Sequence, residues 1–217
     1  MKRVSLFSFL FVCFGLVRAD QPISAAEQHL FLEHHLSNAA ETKTLRYTLR
    51  HSGTLEAPFS DQVKVTLGQE VGGGARQSQV EFLSGERAFQ LPEIEAATAN
   101  PVILSFLERD VRQMQRLTKG QLAYFRKRVR MALAEHAKVE KVEIDHSGKS
   151  IPAWRISLMP YEDDPLKPRF ARYANKTYSF TLSDRIPGWV LEMRTVMHGN
   201  STTPLIEDVL SFEGADQ

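Results

Sequence analysis

A chain of 217 residues with 27 lysines and arginines against 26 aspartates and glutamates is long enough to bury a sizeable core, and its balanced charge gives no global reason to bind nucleic acid. Its only cysteine, Cys13, lies in an N-terminal apolar run, so the remainder of the chain has neither a thiol nucleophile nor a disulfide. That run falls short of the roughly 20 residues a membrane-spanning helix needs.

Met1, Lys2 and Arg3 precede apolar residues from Val4 to Val17, and Val17 and Ala19 occupy the small-residue positions before a cleavage point. The pattern predicts a secretory signal peptide over residues 1–19 and a mature chain starting near Asp20. Leu10, Phe11 and Val12 do not supply the small residue that precedes a lipid-attachment cysteine. An exported chain of this size without disulfides points to a bacterial periplasm. Loss of Lys2, Arg3 and Arg18 takes the net charge to about −2. Residues 20–217 show no internal boundary and are expected to form a single α+β domain.

In chain order, Ile23 to Leu36 reads as a short helix. Leu45, Tyr47 and Leu49 then alternate with Arg46, Thr48 and Arg50, as a half-buried strand requires, and Val63, Val65 and Leu67 repeat the pattern. Gly72-Gly73-Gly74 marks a turn, with shorter strands expected around Val80 to Phe82 and Arg87 to Leu91. Asn100-Pro101 starts a helix, in which Ile103, Phe106, Leu107, Val111, Met114 and Leu117 form an apolar stripe broken only by Asp110. Gly120 ends it. A second helix, Gln121 to about His136, shows Leu122, Phe125, Val129, Ala132 and Leu133 on one face. Alternation resumes in a hairpin turning at Ser147-Gly148-Lys149, then in Tyr178 to Leu182, Val190 to Val196 and Leu205 to Phe212.

Strands, two amphipathic helices, then strands again, all with short connections, predict an α+β fold. The expected form is a curved antiparallel sheet or unclosed β-barrel wrapped around a central two-helix insertion. With the leader and the late hairpin Tyr178-Ser179-Phe180-Thr181-Leu182-Ser183-Asp184-Arg185-Ile186-Pro187-Gly188, this element order resembles the LolA/LolB-like periplasmic lipoprotein-carrier fold. The resemblance implies an open barrel holding helices over an apolar cavity; no functional residue is carried over from it.

No Gly-x-Ser-x-Gly elbow, phosphate loop or His-Glu-x-x-His motif occurs, so no catalytic residue is assigned and a non-enzymatic protein is expected. His29 and Glu33 share a helical face without a third ligand, so no metal site or cofactor is assigned. Glu108 and Asp110 read as partners of nearby arginines. A hypothetical cavity between helices and sheet would be lined by Phe106, Met114, Phe125, Phe180 and Met193. Residues 111–134 contain seven basic residues and no acid, and Arg126, Lys127, Arg128 and Arg130 of the second helix suit an anionic partner. The expected partners are a lipid or lipoprotein and an anionic membrane surface or acidic envelope protein, and not nucleic acid. Two further readings are an envelope assembly factor with a filled core and a hydrolase whose acid and base residues sequence alone does not identify.

Overall fold

Ten antiparallel strands form a single sheet in the computed structural model, which describes residues 22–217. The leader expected over 1–19 lies outside the described residues. The first strands are β1 (Thr44–Ser52), β2 (Phe59–Gly72), β3 (Ala75–Phe82), β4 (Phe89–Gln90) and β5 (Ile94–Ala97). The later ones are β6 (Lys138–His146), β7 (Lys149–Leu158), β8 (Lys176–Leu182), β9 (Val190–Met197) and β10 (Ile206–Asp216). Nine of them run in the order β4-β3-β2-β1-β10-β9-β8-β7-β6, with β5 pairing β3. The end strands do not pair, so the sheet is unclosed, as expected.

Four α-helices accompany it: α1 (Ala25–Glu27), α2 (Val102–Thr118), α3 (Leu122–Glu135) and α4 (Ala171–Ala174). Asn100 Oδ1 accepts from the Val102 amide, so the side chain before Pro101 satisfies a first-turn donor of α2 as its sequence suggested. Lys119 closes α2 in the left-handed conformation, with φ of 59°. The stripes of both helices and the inward rows of the strands form one core, which includes Leu45, Tyr47, Val65, Phe106, Met114, Phe125, Phe180 and Met193.

Two elements depart from expectation. The helix predicted over Ile23 to Leu36 is broken: a capping box of Ser24 and Glu27 starts α1, a π-turn follows over Gln28–Leu32, and Glu33 is extended. His35 takes the His29 carbonyl with Nε2 at 2.8 Å, which removes an acceptor that a continuous helix would use. Strand β5 has no period-2 signature because Glu95 and Ala96 are both exposed; pairing with Arg76 and Ser78 creates it.

Candidate functional site

The outer sides of α2 and α3 do not meet closely, and the space between them forms an open cleft of about 750 Å³. Leu104, Leu107 and Val111 line it from α2, and Val129 and Leu133 from α3. The segment before β5 contributes Leu91 and Pro92, β5 itself contributes Ile94, and Phe31 of the N-terminal arm completes the wall. Leu104 is 51% exposed, unusual for a leucine flanked by buried Ile103 and Ser105. The volume lies within the range of small-ligand sites, whose walls are mostly apolar with a few polar groups at the edge.

Charged side chains ring this mouth. Glu108 accepts from Arg112 Nε at 2.9 Å and from Arg126 Nε at 2.8 Å. Burial pushes its carboxyl upward, but the two arginines outweigh that and hold it below the usual glutamate range. Arg112 also covers Phe89 at 4.7 Å, while Glu27, Glu93 and Arg130 complete the rim.

A second feature lies beneath α2. Register places Tyr178, Thr195, Asp208 and His51 opposite one another across β8, β9, β10 and β1, all pointing inward. Above this row, α2 supplies Arg109, Asp110 and Gln113. Lys176, fully buried, donates to Asp110 and to Gln113 Oε1 at 2.9 Å. Gln113 Nε2 donates to Asp208 Oδ2 at 3.1 Å, and Arg109 reaches the same oxygen at 3.0 Å. Burial would raise the Asp208 pKa, yet the hydrogen bond from His51 and the Arg109 charge prevail and hold the carboxyl far below its usual range. An ionised Asp208 only accepts, so His51 donates from Nδ1, at 2.7 Å. Burial and the neighbouring Asp110 carboxylate push the Tyr178 phenol well above its ordinary value. Lys176 is matched by Asp110 and Asp208 by Arg109 and His51, with Arg109 alone of these partly exposed, so the row fixes α2 on the sheet.

A third arrangement ties down the N-terminal arm. Trp154 and Trp189 stack with planes 6° apart and centroids at 5.7 Å; His29 packs on Trp154 at 5.0 Å and His35 on Trp189 at 5.1 Å. The Asn100 amide donates to His35 Nδ1 at 3.1 Å, so His35 is a neutral Nε2–H tautomer. Burial lowers its pKa to about 4. His29 and Glu33, weighed from sequence as metal ligands, are thus a neighbour of Trp154 and a half-buried acceptor from Gln28 Nε2 at 3.3 Å; no group of metal-binding side chains occurs among the described residues.

Phe106, Met114, Phe125, Phe180 and Met193, expected around an internal cavity, sit together in the core, each at most 1% exposed. They are absent from the walls of the 750 Å³ cleft. Phe125 alone reaches a smaller one of about 430 Å³, beside Lys119, Tyr124, Arg169 and Phe170. The four basic residues of α3 separate by helical geometry. Arg126 and Arg130 edge the apolar cleft, Lys127 points to solvent, and Arg128 turns inward to Asp164 at 3.0 Å. Glu108 pairs with arginines as expected, whereas Asp110 is buried on Lys176, a partner 66 residues away that no local spacing announces. Sequence reading therefore missed the polar row and the cleft. Asp110 in an apolar stripe and Lys176 at an inward strand position were the available signals.

No family model matches the chain, and no curated protein matches it. Among solved structures, it is similar to the lipoprotein LppX of Mycobacterium tuberculosis at 8% identity and a TM-score of 0.32, over 85% of this chain and 92% of that one. The MucA/MucB complex of Pseudomonas aeruginosa gives 14% identity and a TM-score of 0.31, over 89% of this chain and 57% of that one. A LolA superfamily protein of Nitrosomonas europaea gives 12% and 0.21, over 84% and 91%. At these identities and scores the superpositions carry no argument about function. The fold is defined by its own topology, an unclosed antiparallel sheet with a two-helix insertion.

Proposed function

We propose that this chain is an exported, non-enzymatic binding protein of the cell envelope, and that it holds an acyl chain or similar apolar ligand in the cleft between α2, α3 and the segment before β5. The observation that carries this reading is the largely apolar wall of the 750 Å³ cleft, with Leu104 left half-exposed at its centre. Burying such surface under a ligand stabilises the complex by roughly 25 cal/mol per Å², the same effect that drives core formation. The leader over residues 1–19 supports export. The burial of Phe106, Met114, Phe125, Phe180 and Met193 in one cluster favours one second reading, an envelope assembly factor that binds a protein and no lipid.

Titration with the fluorescent apolar probe N-phenyl-1-naphthylamine separates the two. Saturable binding that palmitate displaces, together with a lipid retained in native mass spectra, is the expected result. Leu104→Arg, at a position where a charge can reach water, is expected to weaken probe binding by roughly tenfold while leaving the fold intact. Absence of both probe binding and retained lipid removes the carrier reading.

A further inference from the structure

The solvent ridge of α3 consists of Ala123, Arg126, Lys127, Arg130 and Ala134, all exposed, and it carries no acid. Solvated helices ordinarily mix the two signs, because oppositely charged pairs one turn apart stabilise them. The acids of the region are already paired: Glu108 with Arg112 and with Arg126 of the ridge, and Asp164 with Arg128 and Tyr124. Lys127 and Arg130 have no acid partner among the described residues. Beside the start of the ridge, Lys119 and Arg169 flank the smaller cleft, whose lining contains no acid, and both are exposed. Glu135 closes the far end of α3, and Glu162 and Asp163 lie beyond it on the side of Met131.

We infer that this ridge, with Lys119 and Arg169, is a docking surface for an anionic phospholipid bilayer. The choice of a membrane over an acidic protein rests on the reading of the apolar cleft as an acyl site. Arg126 and Arg130 belong at once to the ridge and to the cleft mouth, so a leaflet touching the ridge lies against the opening through which an acyl chain would pass. Two alanines at ridge positions keep the helix surface low, while the long stems of lysine and arginine follow the headgroups. Each such cation near an anionic leaflet strengthens binding roughly fivefold.

Co-sedimentation of the full mature chain with vesicles tests this. Vesicles of equal phosphatidylglycerol and phosphatidylcholine are expected to retain the protein at low salt and to release it at high salt; pure phosphatidylcholine vesicles are expected not to bind it. The triple variant Lys119→Gln/Lys127→Gln/Arg169→Gln lies outside the apolar cleft. It is expected to bind the anionic vesicles roughly 100-fold more weakly, with circular dichroism and probe binding unchanged. Equal retention on both vesicle types, or undiminished retention of the triple variant, overturns the proposal. So does binding to soluble polyglutamate without binding to vesicles, which would assign the ridge to an acidic protein. Failure of the wild-type chain to bind the probe, with vesicle binding intact, would remove the acyl site and leave the docking surface standing.

Discussion

Lys176 is fully buried, and its ammonium is compensated by Asp110 and Gln113, with the Tyr178 ring 5.7 Å away. Lys176→Met should cost about 3–5 kcal/mol because it strands the Asp110 carboxylate, whereas Lys176→Met combined with Asp110→Asn should cost far less than the sum of the two single changes. Urea unfolding of the four proteins measures that coupling; strict additivity would show that the pair does not interact. His35 gives the chain an acid-sensitive stability. Its folded pKa of about 4 lies below the unfolded 6.5, so its contribution is intact above about pH 6.5 and is lost as pH falls toward 4. The full loss is about 3 kcal/mol. His29 is lowered by burial as well and acts in the same direction. Urea midpoints at pH 7.5, 6 and 5 should fall progressively for the native chain and less steeply for His35→Gln. A native midpoint unchanged between pH 7.5 and 5 would refute the assignment. The role of His35 was not readable beforehand, since a histidine in a polar stretch looks like a surface residue until the Asn100 backbone amide and the His29 carbonyl close on its ring.

Among the elements, the turn after β8 is held most tightly. Asn38 donates to the carbonyls of Asp184 and Ile186 at 2.9 and 2.8 Å and accepts from the Gly188 amide, while Asn100 donates to the Gly188 carbonyl at 2.8 Å. Gly188 has φ of +71°, and a methyl group there would stand 2.6 Å from Leu45 Cδ1. Gly188→Ala should therefore cost about 3 kcal/mol and lower Tm by about 10 °C. Gly148→Ala, at φ +76° with nothing within 4 Å, should cost only about 1 kcal/mol. Calorimetry on both variants checks the contrast, and equal losses would mean that the close approach to Leu45 is immaterial. The turn itself was legible as Ile186-Pro187-Gly188, as were both long helices, because their apolar spacing and their Asn-Pro and glycine punctuation are local. What grips the turn was not legible: Asn38 lies 150 residues from Gly188.

For the whole molecule, alternation along each strand and two stripes of period 3.6 sufficed to foresee an unclosed sheet around a helical insertion. They could not say on which side of the helices free space would lie. The stripe residues Phe106, Met114 and Phe125 join Phe180 and Met193 in one buried cluster, and the opening falls beside it, where the stripe residues Leu107, Val111, Val129 and Leu133 meet the exposed Leu104. A single amphipathic period identifies the buried face of a helix but not how far the edge of that face stays open, which a neighbouring segment such as Leu91 to Ile94 decides. The five-stranded N-terminal group, β1 to β5, and the four-stranded C-terminal one, β6 to β9, touch as sheets only through β10, which slots between β1 and β9. While the ribosome is still short of residue 206, both groups carry a raw inner edge with nothing to cap it. The sheet thus stays in two parts until β10 has emerged and paired with both β1 and β9, so these long-range pairings come late in folding.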